Sequence, residues 1–300
     1  MDTCKPTRRL RLLSDALILV LLPFSVFVAV TTAQNEPVVG PSGTIDERVV
    51  LPAYQGPVVA SGQTFGFEGG VDVPLGGTNE PAIVVNPLDQ NNIAMASLFA
   101  LRVSTDNGAT FSAPTAAVVP TGFSMAGDPS LAFDSQGRLF WTYLGRRTDN
   151  AQFDVFISQV NPTTGAILAG YPVNVTAGVG LPASAVGNCN DKEWLAADRF
   201  PGSLFQDRLY VVWTRFTGTG ASCTTPTVVQ TTFSADQGLN WSPALTHSAG
   251  VEGFVWPSHN AVAPNGDVYV AYHSQPAFTG NNPNGISGQV FVLRSTQTPP

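Results

Sequence analysis

Ser104-Thr105-Asp106-Asn107-Gly108-Ala109-Thr110-Phe111 returns later in the chain as Ser234-Ala235-Asp236-Gln237-Gly238-Leu239-Asn240-Trp241. Both stretches fit S-x-D-x-G-x-x-[FW], and both follow an extended apolar run. The spacing predicts a hairpin turn with a defined chemistry. The Asp carboxylate accepts hydrogen bonds from backbone N–H groups of its own turn. The Gly supplies a positive φ without steric cost. The closing aromatic, Phe111 or Trp241, re-enters the next strand and packs into the sheet.

Working outward, each copy sits at the same place in a longer repeat. Its first half is a strand, a polar turn and a second strand. Pro81-Ala82-Ile83-Val84-Val85 leads into Ile93-Ala94-Met95-Ala96, and Pro129-Ser130-Leu131-Ala132-Phe133 into Leu139-Phe140-Trp141-Thr142-Tyr143. Trp194-Leu195-Ala196-Ala197 leads into Leu209-Tyr210-Val211-Val212-Trp213, and His259-Asn260-Ala261-Val262 into Val268-Tyr269-Val270-Ala271-Tyr272. A third strand, a turn and a fourth strand follow. The S-x-D-x-G turn occupies that third-to-fourth position in copies one and three. Copy two has Asn161-Pro162-Thr163-Thr164-Gly165 there instead, and copy four reaches Ser295-Thr296-Gln297. Repeats starting at Pro81, Pro129, Glu193 and Ser258 are 48, 64 and 65 residues apart. Four short antiparallel strands at this period describe the blades of a β-propeller. A β-sandwich also has many short strands, but gives no reason for one hairpin to recur four times.

The two S-x-D-x-G turns resemble the Asp-box, or bacterial neuraminidase repeat, of the sialidase-like β-propellers. Ser104, Asp106, Gly108, Phe111 and Ser234, Asp236, Gly238, Trp241 are the matching residues. In that family the box is a structural turn, so the resemblance points to an all-β propeller before it points to a reaction. It covers residues 79–300. Catalytic sialidases have six blades, and fewer than four complete ones are visible here. An unclosed ring leaves exposed sheet edges. The expectation is a C-terminally incomplete propeller; completion by residues 34–77 and a partner is the alternative.

The N-terminus reads differently. Lys5, Arg8, Arg9 and Arg11 precede an apolar run from Ala16 to Val30, and Thr31-Thr32-Ala33 offers a cleavage site. That is the pattern of a secretory signal peptide over 1–33. The alternative, an uncleaved anchor, is disfavoured by the short core and Pro23. Residues 34–78 read as a linker or an N-terminal edge segment. Of fourteen basic and twenty-one acidic residues, cleavage leaves ten and nineteen, with Lys192 the single remaining lysine. Such a surface does not suit nucleic acid or an anionic membrane. The reading is a secreted or extracytoplasmic protein that leaves the membrane once the signal is cut. Cys189 and Cys223 remain after cleavage. An even count in an exported chain favours a disulfide. No C-x-x-C or H-E-x-x-H occurs, so neither a metal nor a cofactor is expected.

Blade topology sorts the loops. The turns joining strands one to two and three to four share one face. The loops leading into the first strands, and those joining strands two to three, share the other. Cys189 and Cys223 come out on that second face, where a bridge is geometrically reasonable. In sialidase-like propellers this face holds the ligand. The candidates there are Glu80, Asp128, Arg146, Arg147, Lys192, Glu193, Arg215, Trp256, His259 and His273, with Asp149 and Asp191 nearby. Acids beside Arg, Trp and His at a propeller mouth suit a polar ligand such as a sugar; the structural alternative is that the acids cap neighbouring backbone and pair with Arg.

No catalytic residue can be assigned. A sialidase needs three arginines around the substrate carboxylate, a Tyr activated by Glu, and an Asp acid/base. The family's F/Y-R-I-P motif, which carries the first arginine, is absent. Arg102 and Arg294 fall near turns on the opposite face. Tyr143, Tyr272 and Glu193 are imaginable partners without assigned roles. The expectation is a binding propeller for a glycan or an extracellular protein, without hydrolysis. The alternative is an exo-α-sialidase or related glycoside hydrolase seen incompletely.

Overall fold

The computed structural model describes residues 38–39, 45–46, 79–149, 152–177, 189–216, 227–248, 254–275 and 289–295. Residues 1–33, most of 34–78 and Cys223 lie outside the described residues. All described elements are strands. A small hairpin pairs β1 (Val38–Val39) with β2 (Ile45–Asp46). The first blade is β3 (Ala82–Asn86), β4 (Asp89–Ser97), β5 (Ala100–Ser104) and β6 (Thr115–Ala116). The second is β7 (Phe123–Phe133), β8 (Leu139–Arg147), β9 (Phe153–Val160) and β10 (Val173–Asn174). The third is β11 (Cys189–Ala197), β12 (Leu209–Phe216), β13 (Thr227–Ser234) and β14 (Leu245–Thr246). The fourth contributes β15 (Phe254–Val262), β16 (Val268–Gln275) and β17 (Gln289–Ser295). Pairing within every blade is antiparallel between sequence neighbours.

The first strands lie side by side in order: β3 against β7, β7 against β11, β11 against β15. Blades therefore stack face to face around them, which is a β-propeller. A sheet stacked on both sides must be apolar on both faces, so the alternation of a half-buried strand disappears. Strand β8 shows this. Trp141 and Tyr143 join Leu101, Val103 and Phe156 between blades one and two, whereas Phe140 and Leu144 join Leu195, Val211 and Trp213 between blades two and three. Strand β12 repeats it, sending Val211 and Trp213 one way and Val212 towards Val255 and Tyr272 the other. Burying an aromatic of this size contributes roughly 2–3 kcal/mol.

The two S-x-D-x-G turns connect β5 to β6 and β13 to β14, and their hydrogen bonds match one for one. Ser104 Oγ donates to Asp106 Oδ1 at 2.8 Å, and Ser234 Oγ to Asp236 Oδ1 at 2.8 Å. The same hydroxyls accept from Gly108 N at 2.9 Å and Gly238 N at 2.8 Å. Asp106 Oδ1 accepts from Thr110 N at 2.8 Å, and Asp236 Oδ1 from Asn240 N at 2.9 Å. Both glycines are left-handed, at φ 82° and 86°. Trp241 packs against the core between blades two and three and donates through Nε1 to Gly238 O at 3.0 Å. The turn after β9 uses Asn161 instead, whose Oδ1 accepts from Thr163 N and Thr164 N.

One expectation is corrected. The long strands outrun the apolar runs that mark them. Strand β7 begins at Phe123, β11 at Cys189 and β15 at Phe254; β8, β12 and β16 end at Arg147, Phe216 and Gln275. Asp128, Lys192, Glu193, Trp256, His259, Arg146, Arg147, Arg215 and His273 are thus strand residues, not loop residues. The reason is a bulge. An extra residue falls between Gly127 and Ser130, between Asp191 and Trp194, and between Val255 and Ser258, after which pairing resumes. A bulge lets a strand continue while re-aiming the side chains at it.

Candidate functional site

Counting back from the ends of the first hairpins aligns Glu80, Asp128, Lys192 and Pro257. The first three are non-glycine residues in the left-handed region, at φ 56°, 51° and 50°. Each such residue costs on the order of 1–3 kcal/mol and persists only where surroundings enforce it. Here a relay enforces it. Asp128 N donates to Glu80 Oε2 at 3.1 Å, and Lys192 N donates to Asp128 Oδ2 at 3.2 Å. The carboxylate of one blade thus holds the backbone of the next at the equivalent residue. Lys192 then reaches back across both, Nζ to Glu80 Oε1 at 2.5 Å and to Asp128 Oδ1 at 2.6 Å. In the fourth blade the equivalent residue, Pro257, has no N–H to donate. It cannot extend the relay, and the bulge there falls one residue earlier. Gly127 makes room for the crossing. At φ 127° a Cβ on it would lie 2.7 Å from Leu98 Cδ2 and 3.5 Å from Glu80 Oε2.

Beside the relay is a cavity of about 480 Å³. It is lined by the equivalent residues Pro81, Pro129, Glu193 and Ser258 from four blades, with Glu80, Asp128, Lys192, Trp194, His259, Ala271, Tyr272, His273 and Val290. Trp194 is 39% exposed, and its ring centroid lies 4.1 Å from that of His259. Glu193 is 3% exposed, and neither carboxyl oxygen has a hydrogen-bond partner. Ser258 Oγ and His273 Nε2 are likewise buried without partners.

The electrostatics divide these acids. Burial, then the neighbouring Asp128 and Asp191 charges, push Glu193 well above the usual carboxylate range. Burial and the hydrogen bond and charge of Asp128 push Asp191 up to about 8. Burial opposes ionisation of Asp128 too, but hydrogen bonds to Glu80, Asp191 and Lys192, with the lysine charge, hold it down to about 2. The hydrogen bond to Asp128, then burial, raises Glu80. Near neutral pH the wall therefore carries an ionised Asp128 tied to Lys192, beside a Glu193 whose burial disfavours its charged form. Burial lowers His259, which is neutral there.

Six candidates from the sequence come together in this wall: Glu80, Asp128, Lys192, Glu193, His259 and His273. Four do not line it. Arg147 pairs with Asp154 at 3.0 Å and lies over Phe123, Arg146 is exposed on β8, and Arg215 sits on β12. Trp256 packs with Phe216 and Phe254 beside Cys189. Cys189 is disulfide-bonded; Cys223, the expected partner, is outside the described residues. Tyr143 lies between blades one and two, donating to Val118 O at 2.6 Å, and burial pushes it up to about 12. Sequence reasoning missed Trp194, Ser258 and Val290. Trp194 was legible in part: Leu195 belongs to the core, so alternation turns its neighbour away from it. Among the described residues no group of three or more His, Cys, Asp or Glu could hold a metal ion.

No family model matches the chain, and no curated protein matches it. Solved structures do. It is similar to an endo-arabinase from Bacteroides thetaiotaomicron, at 15% identity and TM-score 0.42 over 73% of this chain and 75% of that one. An α-L-arabinanase from Penicillium chrysogenum, solved with arabinobiose, gives 14%, TM-score 0.48, and 72% and 62% coverage. An N-acetylgalactosamine deacetylase from F. plautii, solved with blood group B trisaccharide, gives 14%, TM-score 0.40, and 65% and 62%. The arabinanases are β-propeller glycoside hydrolases; at these identities the likeness is one of fold.

Proposed function

We propose that this chain is a secreted, sialidase-like β-propeller that binds glycan in the cavity beside its first strands without hydrolysing it. The observation that carries the reading is the wall itself. An exposed Trp194 stacked on His259 stands next to buried polar groups with no partner of their own. Binding sites for small ligands combine an apolar lining with a few convergent polar groups in this way. The matched turns at Asp106 and Asp236 support the sialidase-like assignment, and the basic and apolar pattern of residues 1–33 supports export. The expectation of binding without turnover is supported by Lys192, which occupies the carboxylates of Glu80 and Asp128. A screen of the purified chain on a glycan array tests this. Binding lost in Trp194→Ala is expected; an array with no bound glycan overturns it.

A second reading, an exo-sialidase or related glycoside hydrolase, draws on one observation. Glu193, pushed well above the usual carboxylate range, shares the cavity with Asp128, held down to about 2, and pairs of carboxyl groups with separated pKa values serve as acid and base in glycosidases. Release of an aryl leaving group from sialoside or arabinoside substrates, abolished by Glu193→Gln, would establish it in place of the first.

A further inference from the structure

Resting on the glycan-binding reading, we infer that the cavity takes a neutral sugar ring and discriminates against acidic sugars such as sialic and uronic acids. Three observations carry this. The first is charge. Among the described residues the lining holds the carboxylates of Glu80 and Asp128 beside a single lysine, Lys192, and no arginine. A carboxylate ligand is bound by guanidinium forks or a free ammonium. Here the ammonium is already shared between Glu80 Oε1 at 2.5 Å and Asp128 Oδ1 at 2.6 Å. An incoming carboxylate would face ionised Asp128, and the lysine of the lining is already taken up.

The second is the polar set. Ser258 Oγ, His273 Nε2 and the Glu193 carboxyl belong to the wall and have no hydrogen-bond partner. A hydroxyl, an imidazole and a buried carboxyl group each find a partner in a group that both donates and accepts. Sugar hydroxyls do both. The third is the platform. Trp194 is 39% exposed and is held by His259 at 4.1 Å, beside exposed Val290. The C–H face of a sugar ring packs on such a surface, and an aromatic anchored on a strand is already oriented for it. At about 480 Å³ the cavity falls in the size range of small-ligand sites.

The test is calorimetric titration of the purified chain with matched pairs: lactose against 3′-sialyllactose, and xylo-oligosaccharides against galacturonic oligosaccharides. Both members of each pair are added at low and at physiological salt. The expected result is that the neutral members bind, at least about tenfold more tightly than the acidic ones, with the gap narrowing as salt screens the repulsion. Trp194→Ala should lose at least about tenfold in affinity, while Trp194→Phe should recover part of it. Ser258→Ala should lose several-fold. Thermal melts confirm that each variant is folded; Trp194 is exposed enough for its melt to move little. Tighter binding of the acidic members would overturn the neutral preference and leave glycan binding intact. Failure of every sugar in both sets, together with a blank glycan array, would overturn the two together.

Discussion

The two ends of the blades solve opposite problems. At the strand-three to strand-four turns, Ser104–Thr110 and Ser234–Asn240 satisfy their polar groups with partners two to four residues away. At the cavity, partners are 48, 64 and 112 residues apart, and Glu193, Ser258 and His273 keep polar atoms with none. Local closure makes a turn that can be copied from blade to blade, because its Ser and Asp side chains are satisfied within the turn itself. Long-range closure makes a place that differs in every blade, because each contributes a different residue to one position. The first end holds the architecture, and the second is where polar groups lack partners, as sites for ligands do. Both ends hold non-glycine residues left-handed: Asn107 and Gln237 beside Gly108 and Gly238 in the turns, and Glu80, Asp128 and Lys192 in the relay.

The sharpest way to break this contrast is Lys192→Met. It leaves Glu80 and Asp128 facing each other without their cation, and removing one member of a largely buried pair costs about 3 kcal/mol. Urea unfolding checks it, and adding Glu80→Gln in the same chain should restore part of the loss. An unchanged midpoint would mean that the relay decorates the fold and does not hold it.

A second effect is a pH slope from the cavity alone. Glu193 and Asp191 have folded pKa values raised above their unfolded ones, so the folded state binds more protons between the two. Their stability contribution is present below the unfolded carboxylate range and is lost as pH rises, for Asp191 through about 8. Thermal unfolding from pH 5 to pH 8 should show a decline, on the order of 1.4 kcal/mol per pH unit for each group protonated only in the folded state, that Glu193→Gln together with Asp191→Asn flattens. The turns run the other way. The Thr110 hydroxyl and N–H hold Asp106 down to about 2, so its contribution is present above 3.8 and lost as pH falls through about 2. Acid unfolding of Asp106→Asn should lack that component.

Smaller still is the cost of a single turn hydroxyl. Ser104 and Ser234 are each 1% exposed, and their oxygens hold a Gly N–H and an Asp carboxylate. Ser104→Ala and Ser234→Ala should each cost about 1–2 kcal/mol and agree within about 0.5 kcal/mol, measured by denaturant titration. Unequal costs would show that the two turns are alike in geometry but not in energy. Least of all, Arg147→Ala should change stability by no more than about 1 kcal/mol, since its pair with Asp154 is partly exposed, and should leave glycan binding unchanged.

What the sequence determined by itself was whatever is closed within a few residues or repeated by periodicity. Ser104-x-Asp106-x-Gly108 and its copy name their own turn, and the runs at Leu139 and Leu209 are largely apolar without alternation because both sheet faces are buried. Such patterns survive in one dimension. The face that gathers Glu80, Asp128, Lys192 and Glu193 was legible from strand direction alone, since antiparallel blades put alternate loops on opposite ends. Only the tertiary structure decided that a bulge carries these residues onto the strands, that Lys192 closes on two acids from two other blades, and that Trp194 with His259 lines the cavity while Arg147, Arg215 and Trp256 do not. The physical reason is that a hydrogen bond spanning 112 residues leaves no spacing to read, and whether a carboxyl keeps its proton depends on burial and on neighbours that the chain order does not reveal.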